Sequence, residues 1–356
     1  MKVALVYDRV NKWGGAERVL LALHKIFPDA PLYTSVYDRQ NASWASEFEI
    51  KTSFLQRIKF LRSRNDKLFL FMPLAFESFN FDEFDLVISV SSEAAKGIIT
   101  KPKTRHICIC LTPTRYLWSG YEDYIRGGLR RIISKPFVSY LRSWDKVAAS
   151  RPDQFIAISA EVRERIEKYY RRESKLIYPP VMISSSKKKA VKGEDFLLVS
   201  RFSRGSYYKR VNLAVKAFNK SGLPLTVIGG GPMLENIKRE SRSNIKFLGE
   251  VSEESLTRHY ESCKALIFPG LEDFGLVMAE AQTFGKPVIA YRGGGAKEII
   301  EEGVTGEFFE EQSVDSILTA LKKFEGKSYN TVDIKRNSER FSFENFKSGF
   351  LGFINE

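Results

Sequence analysis

Hydrophobic and polar positions alternate between two patterns along most of the chain: short apolar runs, and longer stretches with a 3.6-residue period. KVALVYD (2–8), PLYTSVYD (31–38), DLVISVSS (85–92), HICICLT (106–112) and QFIAIS (154–159) read as strands. WGGAERVLLALHKIF (13–27) is a Gly-Gly turn entering a helix that ends before Pro28, and AEVRERIEKYY (160–170) is an amphipathic helix. KLIYPPV (175–181) leaves the sheet on two prolines, and the lysine-rich SSSKKKAVKGED (184–195) has the character of an interdomain linker. The pattern then restarts: strand FLLVSRF (196–202), helix VNLAVKAFNKS (211–221), strands PLTVIGG (224–230) and NIKFLGEV (244–251), and helix EESLTRHYESC (253–263). KALIF (264–268), a helix from Gly275 to Phe284 and PVIAY (287–291) add a strand–loop–helix–strand unit. The alternation predicts two doubly wound α/β domains, 1–183 and 184–335, with a candidate helix over 336–356 for which the first domain is one docking place.

Composition agrees with a soluble chain long enough for two domains: 356 residues, 43% hydrophobic and 28% charged. No apolar run reaches the roughly 18 residues of a spanning helix, and MKVALVYD is too short and too soon acidic for a signal peptide. Cys108 and Cys110 share one face of one strand and Cys263 stands alone, which suits a reducing cytoplasm. Three scattered histidines offer no metal spacing.

The net charge of +13 attracts either nucleic acid or an anionic membrane. Residues 54–76 set Arg57, Lys59, Arg62, Arg64 and Lys67 among large apolar side chains, and 126–151 sets seven basic residues among aromatic and aliphatic ones with one acid, Asp145. Both stretches suit an in-plane interfacial helix, and both also suit a core-facing helix with a solvated basic face. No nucleic-acid signature accompanies the charge, so the expected partner is an anionic membrane surface and not nucleic acid.

Candidate chemistry gathers in FPGLEDFGLVMAEAQTFGKPVIA (268–290). Glu272 and Asp273 lie in the loop ahead of a helix, where backbone N–H groups and the helix dipole suit an anion; the same acids also suit an ordinary N-terminal cap. Arg201 ends a strand and Lys209-Arg210 begins the next helix, so the two regions can converge on one phosphate. Gly14-Gly15, the triple glycine 229–231 and the loop 270–275 likewise fall at C-terminal strand ends, the edge at which open α/β sheets bind ligands. VIGGGPML (227–234) has Leu234 where a dinucleotide fingerprint needs its third glycine, which argues against a nicotinamide enzyme. Neither a P-loop nor a G-x-S-x-G elbow is present.

These residues carry a resemblance. WGGAERVL, DLVISVSSEAAKG (85–97), TPTRYLW (112–118), LRSWDKVAASRPDQFIAIS (141–159), IYPPV (177–181), VSRF with KRVNLAVKAF, VIGGGP, FLGEVS (247–252), FPGLEDFGLVMAEAQTFGKPVIAYRGGGAKEII (268–300) and GVTG (303–306) run in order through both halves. The chain resembles the family 4 retaining glycosyltransferases of GT-B fold, nearest in appearance to the mannosyltransferases of bacterial O-antigen and capsule assembly. The resemblance implies two Rossmann-like domains facing a cleft, the first for the acceptor and the second for a nucleotide sugar. It implies transfer of a hexose, with mannose from GDP-mannose first and UDP-glucose or another UDP-sugar as the alternative, onto a lipid-linked saccharide. The place of work would be the cytoplasm, peripheral on the inner face of the cytoplasmic membrane.

By the same resemblance Glu272 faces the donor sugar and Glu280 the nucleotide ribose. Phe274, Gly275, Leu276 and Val277 cradle the diphosphate, while Arg201 and Lys209 neutralise the leaving group. Gly230, Leu248, Gly14 and Gly15 complete the donor side. Arg115 and Trp118 are acceptor-side by position and equally suited to packing. No cofactor or metal is implied, and the chain has no D-x-D for a metal–diphosphate site. Two departures stand out. Leu111 takes the place where related proteins usually carry a histidine that contacts the donor sugar, which keeps open a catalytically degenerate nucleotide-sugar-binding or membrane scaffold protein. The segment from Arg201 to Lys209 is about three residues long beyond the usual, so Arg204 or Arg210 could share the role of Lys209.

Overall fold

The computed structural model describes residues 1–58, 69–124, 128–183, 193–202 and 209–356. The chain divides into two compact units, Met1–Pro180 with Lys347–Glu356, and Val181–Phe346.

The first unit holds a seven-stranded sheet in the order β3-β2-β1-β4-β5-β6-β7. Its strands are β1 (Val3–Tyr7), β2 (Leu32–Thr34), β3 (Ile50–Thr52), β4 (Leu86–Ser91), β5 (Arg105–Cys110), β6 (Gln154–Ala157) and β7 (Lys175–Leu176). Each neighbouring pair is parallel, with Leu5 opposite both Leu32 and Ile88. Strands buried on both faces need apolar side chains at every position, which is why β1 and β4 read as continuous runs. The strand expected over 31–38 pairs only at Leu32–Thr34 and at an isolated bridge between Val10 and Tyr37. Ser35 interrupts it, its hydroxyl turned to the Asp8 carbonyl at 2.5 Å.

The second unit holds a six-stranded parallel sheet, β10-β9-β8-β11-β12-β13. These are β8 (Phe196–Val199), β9 (Leu225–Ile228), β10 (Ile245–Gly249), β11 (Leu266–Phe268), β12 (Val288–Tyr291) and β13 (Gly306–Phe309). A core of Phe196, Leu198, Phe218, Val227, Ile267, Ile289, Phe309 and Phe324 packs the helices Val211–Ser221 and Val314–Glu325 onto one face. In each sheet the strand order reverses beside the first strand, between β1 and β4 and between β8 and β11, which creates a crevice at the C-terminal strand ends.

The last segment differs from the single helix expected over 336–356. Helix Thr331–Ser338 ends in a 3₁₀ turn at Glu339–Phe341, Ser342 turns extended to bridge Val181, and a new helix runs Phe343–Asn355. Phe346, Phe350 and Phe353 are buried. In the first unit Phe350 meets Phe27 edge-on at 6.3 Å, and Arg105 donates to the carbonyls of Phe353 and Ile354. KLIYPPV contributes only Lys175–Leu176 to the sheet, since Pro179 and Pro180 have no N–H to give a ladder.

Candidate active site

In the second unit the crevice lies between the ends of β8 and β11, adjacent strands paired at Leu197 and Leu266. Past β8, Arg201 is exposed at this edge. Past β11, the loop Pro269–Phe274 carries Glu272 and leads through Gly275 (φ 92°) into the helix Leu276–Thr283. That helix has no side-chain cap at Gly275, so its first turn presents backbone N–H groups at the edge where Leu276 and Val277 are half-buried. Phe274 is buried and anchors the loop edge-on against Phe341, 5.4 Å between ring centres.

Lys209 and Glu272 meet here: Nζ lies 2.6 Å from Oε1, both side chains largely buried. An ammonium and a carboxylate, brought from opposite sides of the strand-order reversal, thus sit beside an uncapped helix start. Arg210 is turned elsewhere. It caps the helix Val211–Ser221 in a left-handed conformation and its Nε donates to the Gln312 side chain at 3.3 Å. Arg204 lies outside the described residues.

Two glycine runs build the walls. The triple glycine 229–231 lies against the chain past β8: the Gly230 carbonyl accepts from the Phe202 N–H at 2.8 Å, and a Cβ on Gly229 (φ 131°) would stand 1.7 Å from the Ser200 carbonyl oxygen. Leu248, on β10, is exposed. The run Gly293–Gly295 backs the Glu272 loop: the Gly295 N–H donates to the Glu272 carbonyl at 3.0 Å, and a Cβ on Gly294 (φ 56°) would lie 2.2 Å from that carbonyl oxygen. In the sequence this second run is only part of YRGGGAKEII, with nothing to assign it a role.

Glu280 lies deeper, 1% exposed, and accepts a hydrogen bond from the Tyr260 hydroxyl at 2.8 Å. It is on the same helix as the uncapped start, one turn beyond Leu276 and Val277.

The first unit fills its own crevice. Asp8, buried just past β1, accepts from the backbone N–H groups of Ser92, Glu93, Ala94 and Ala95 at 2.6, 2.9, 2.8 and 2.8 Å. Arg9, past β1, and Glu93, past β4, form an ion pair at 2.5 Å. Burial, partly offset by Arg9, raises the Glu93 carboxyl above its ordinary range. The sequence carries one signal for Asp8, an acid directly after an all-apolar strand. Gly14, extended at φ 174°, and Gly15 open the helix Gly15–Ile26 past the same strand.

Three of the quoted motifs converge on Asp145. Its carboxylate takes Lys96 Nζ at 2.6 Å, Thr114 Oγ1 at 2.9 Å, Trp118 Nε1 at 2.7 Å and the Tyr170 hydroxyl at 2.9 Å. Burial works against the Lys96 charge, but Asp145 outweighs it and holds the ammonium above its ordinary value. Trp118 also stacks on Tyr169 at 5.2 Å, so its indole is a structural tie, while Arg115 is half-buried in the same loop. Leu111 is the first residue past β5, its N–H on the Ser91 carbonyl at 2.8 Å. His106 is at the far end of β5, buried against Ser89, where desolvation lowers its pKa to about 3.

Among the described residues no cluster of His, Cys, Asp and Glu could hold a metal ion, and no helix is long and apolar enough to cross a membrane. Helix Gly128–Ala148 buries Val138, Leu141, Asp145 and Ala148 but leaves Phe137, Tyr140 and Val147 exposed, as are Phe71 and Leu74 by the helix Met72–Glu77. Of the other basic stretch, residues 59–68 lie outside the described residues.

Residues 183–341 match the family model described as glycosyl transferases group 1. The O-antigen chain mannosyltransferase C of Escherichia coli is 26% identical over 224 residues, 60% of this chain and 59% of that one. A GDP-mannose-dependent alpha-(1-6)-phosphatidylinositol monomannoside mannosyltransferase of Mycobacterium tuberculosis is 29% identical over 184 residues, 48% of this chain and 42% of its own. The chain therefore spans about half the length of these relatives. Among solved structures, Anabaena Alr3699/HepE in complex with UDP-glucose superposes with a TM-score of 0.73 at 17% identity over the full length of both chains. The lipopolysaccharide outer core galactosyltransferase WaaB superposes with a TM-score of 0.65 at 19% identity over 99% of both. The architecture is the two-domain α/β GT-B fold.

Proposed function

From a chain of GT-B fold that resembles the family 4 glycosyltransferases of O-antigen assembly, we propose a retaining, metal-independent hexosyltransferase that moves mannose from GDP-mannose onto a lipid-linked saccharide. The observation that carries this reading is the pairing of Lys209 with Glu272 at the strand-order reversal, beside exposed Arg201 and the open start of helix Leu276–Thr283.

The chemistry of that group suits a nucleotide sugar. A diphosphate takes hydrogen bonds from the first-turn amides of Phe274 to Val277 and charge from Arg201 and Lys209. As the glycosidic bond to the diphosphate breaks, negative charge grows on the leaving oxygen, and the two cations stabilise it without reorganisation. Glu272 accepts hydroxyls of the donor sugar once Lys209 turns to phosphate, and Glu280 accepts those of the ribose. Gly230 and Leu248 border the nucleoside. Gly14-Gly15 let the first unit's backbone approach donor or acceptor, with Arg115 on the acceptor side. The donor is supported by the mannosyltransferase relatives. UDP-glucose is the alternative, since a structural neighbour binds it. The cytoplasmic face of the membrane is the proposed place, held by the exposed aromatic side chains of helix Gly128–Ala148 and the basic residues beside them.

Leu111 favours a second reading, a degenerate relative that binds nucleotide sugar without transfer. One experiment addresses both. Calorimetric titration with GDP, UDP, GDP-mannose and UDP-glucose should show selective binding of GDP and GDP-mannose. Arg201→Ala and Lys209→Ala should each weaken it by roughly 10-fold or more, the scale of a lost charge-assisted hydrogen bond. Selective UDP binding would reassign the donor, and no binding by any of the four would overturn the reading. Radiolabelled sugar released from the bound donor separates transferase from binder.

A further inference from the structure

Glu272 and Glu280 sit on one loop–helix segment with different partners. Glu272 faces an ammonium. Glu280 is met by a neutral donor, the phenol of Tyr260, on the helix Glu253–Ser262 that precedes β11. The difference matters for recognition. A phenol that donates to one carboxylate oxygen orients the group and leaves further lone pairs to accept hydroxyls.

Tyr260 is itself held fast. It is fully buried, and its ring lies parallel to that of Phe284, 5.4 Å between centres and 7° between planes. Phe284 follows Glu280 by four residues, one helical turn, so both present the same face to Tyr260. The ring stack fixes the phenol's direction, and the phenol fixes Glu280 at Oε2, 2.8 Å away. A glutamate otherwise has several rotamers to choose from, and ordering it at the moment of binding would subtract from affinity.

We propose that Tyr260 is a positioning residue for Glu280, so that recognition of the donor's ribose depends on a buried phenol that does not touch the ligand. This rests on the assignment of Glu280 to the ribose in the reading above. It predicts an effect confined to the ribose hydroxyls. Contacts of the diphosphate belong to Arg201, Lys209 and the helix start.

The test is a binding comparison of GDP and UDP with their 2′-deoxy and 3′-deoxy forms, and of inorganic pyrophosphate, on the full chain and on Tyr260→Phe, which keeps the stack on Phe284 and deletes only the hydroxyl. The wild type should prefer the ribonucleotide over a deoxy form by about 10- to 100-fold, the scale of a hydrogen bond to a charged group. Tyr260→Phe should reduce that preference to about threefold or less while pyrophosphate affinity stays within about twofold. Phe284→Leu, which keeps the hydroxyl but loosens the stack, should fall between the two, and it carries the test if Tyr260→Phe does not fold. A wild type without ribose preference would overturn the assignment of Glu280 itself. A wild-type preference that survives in folded Tyr260→Phe would overturn the role of Tyr260 alone, as would an equal loss of nucleotide and pyrophosphate binding.

Discussion

At the scale of single residues the first unit is organised around charges that the solvent barely reaches. Lys96 and Asp145 are each about 1% exposed, and removing one leaves the other buried without its counter-charge. Asp145→Ala should cost about 3–5 kcal/mol in chemical denaturation, and adding Lys96→Met should recover only part of it, since the Thr114, Trp118 and Tyr170 donors stay without their acceptor. His106 adds a pH dependence. Its folded pKa, depressed to about 3, lies below the unfolded value of about 6.5, so protons bind the unfolded chain first. Its contribution is fully present above pH 6.5 and is lost as pH falls toward 3, about 2 kcal/mol by pH 5. Denaturation curves at pH 7.5 and 5 should show that loss in the wild type and a flatter response in His106→Leu. The sequence showed the fragments EAAKG, TPTRYLW and LRSWD but not their meeting point. Lys96 and Asp145 are 49 positions apart, and only the parallel order of β4, β5 and the following helix brings them together.

At the scale of elements, the loop bearing Glu272 is shaped by the glycine run that backs it. Gly294→Ala puts a methyl 2.2 Å from the Glu272 carbonyl in a left-handed conformation that alanine resists, so the loop must shift. Gly303, also left-handed at φ 80°, has only the end of a lysine within reach, at 3.6 Å. Both Gly294→Ala and Gly303→Ala should lower stability by about 1–2 kcal/mol for the backbone, but only the first should weaken nucleotide binding by about 10-fold or more in the same titration. Strands buried on both faces were legible as continuous apolar runs: β1, β4, β5, β6, β8, β9, β11 and β12. The edge strand β3 (IKT) and β13 (GEFF) were not, since three or four residues of mixed polarity have no period of their own and become strands only through the ladder beside them. Asp8 escaped notice for a related reason: its role depends on four amides from a loop more than eighty residues away.

For the whole molecule, the charge of +13 combines with exposed Phe71, Leu74, Phe137, Tyr140 and Val147 on the first unit. The protein should pellet with anionic vesicles at low salt and release at high salt, where screening shortens the reach of the charges to about 3 Å at 1 M. Phe137→Ser with Tyr140→Ser should weaken the low-salt binding, and an absence of binding to anionic vesicles at low salt would sink the membrane proposal. Residues Val181–Phe346 are a continuous insertion, whereas the first unit is finished only by Lys347–Glu356, which supply Phe350 against Phe27 and the carbonyls that Arg105 holds. As the polypeptide leaves the ribosome, residues 1–180 must wait for residues 347–356. The inserted unit can close while the earlier one still lacks the helical turns of 347–356, and removing those residues would strand the unit begun before it.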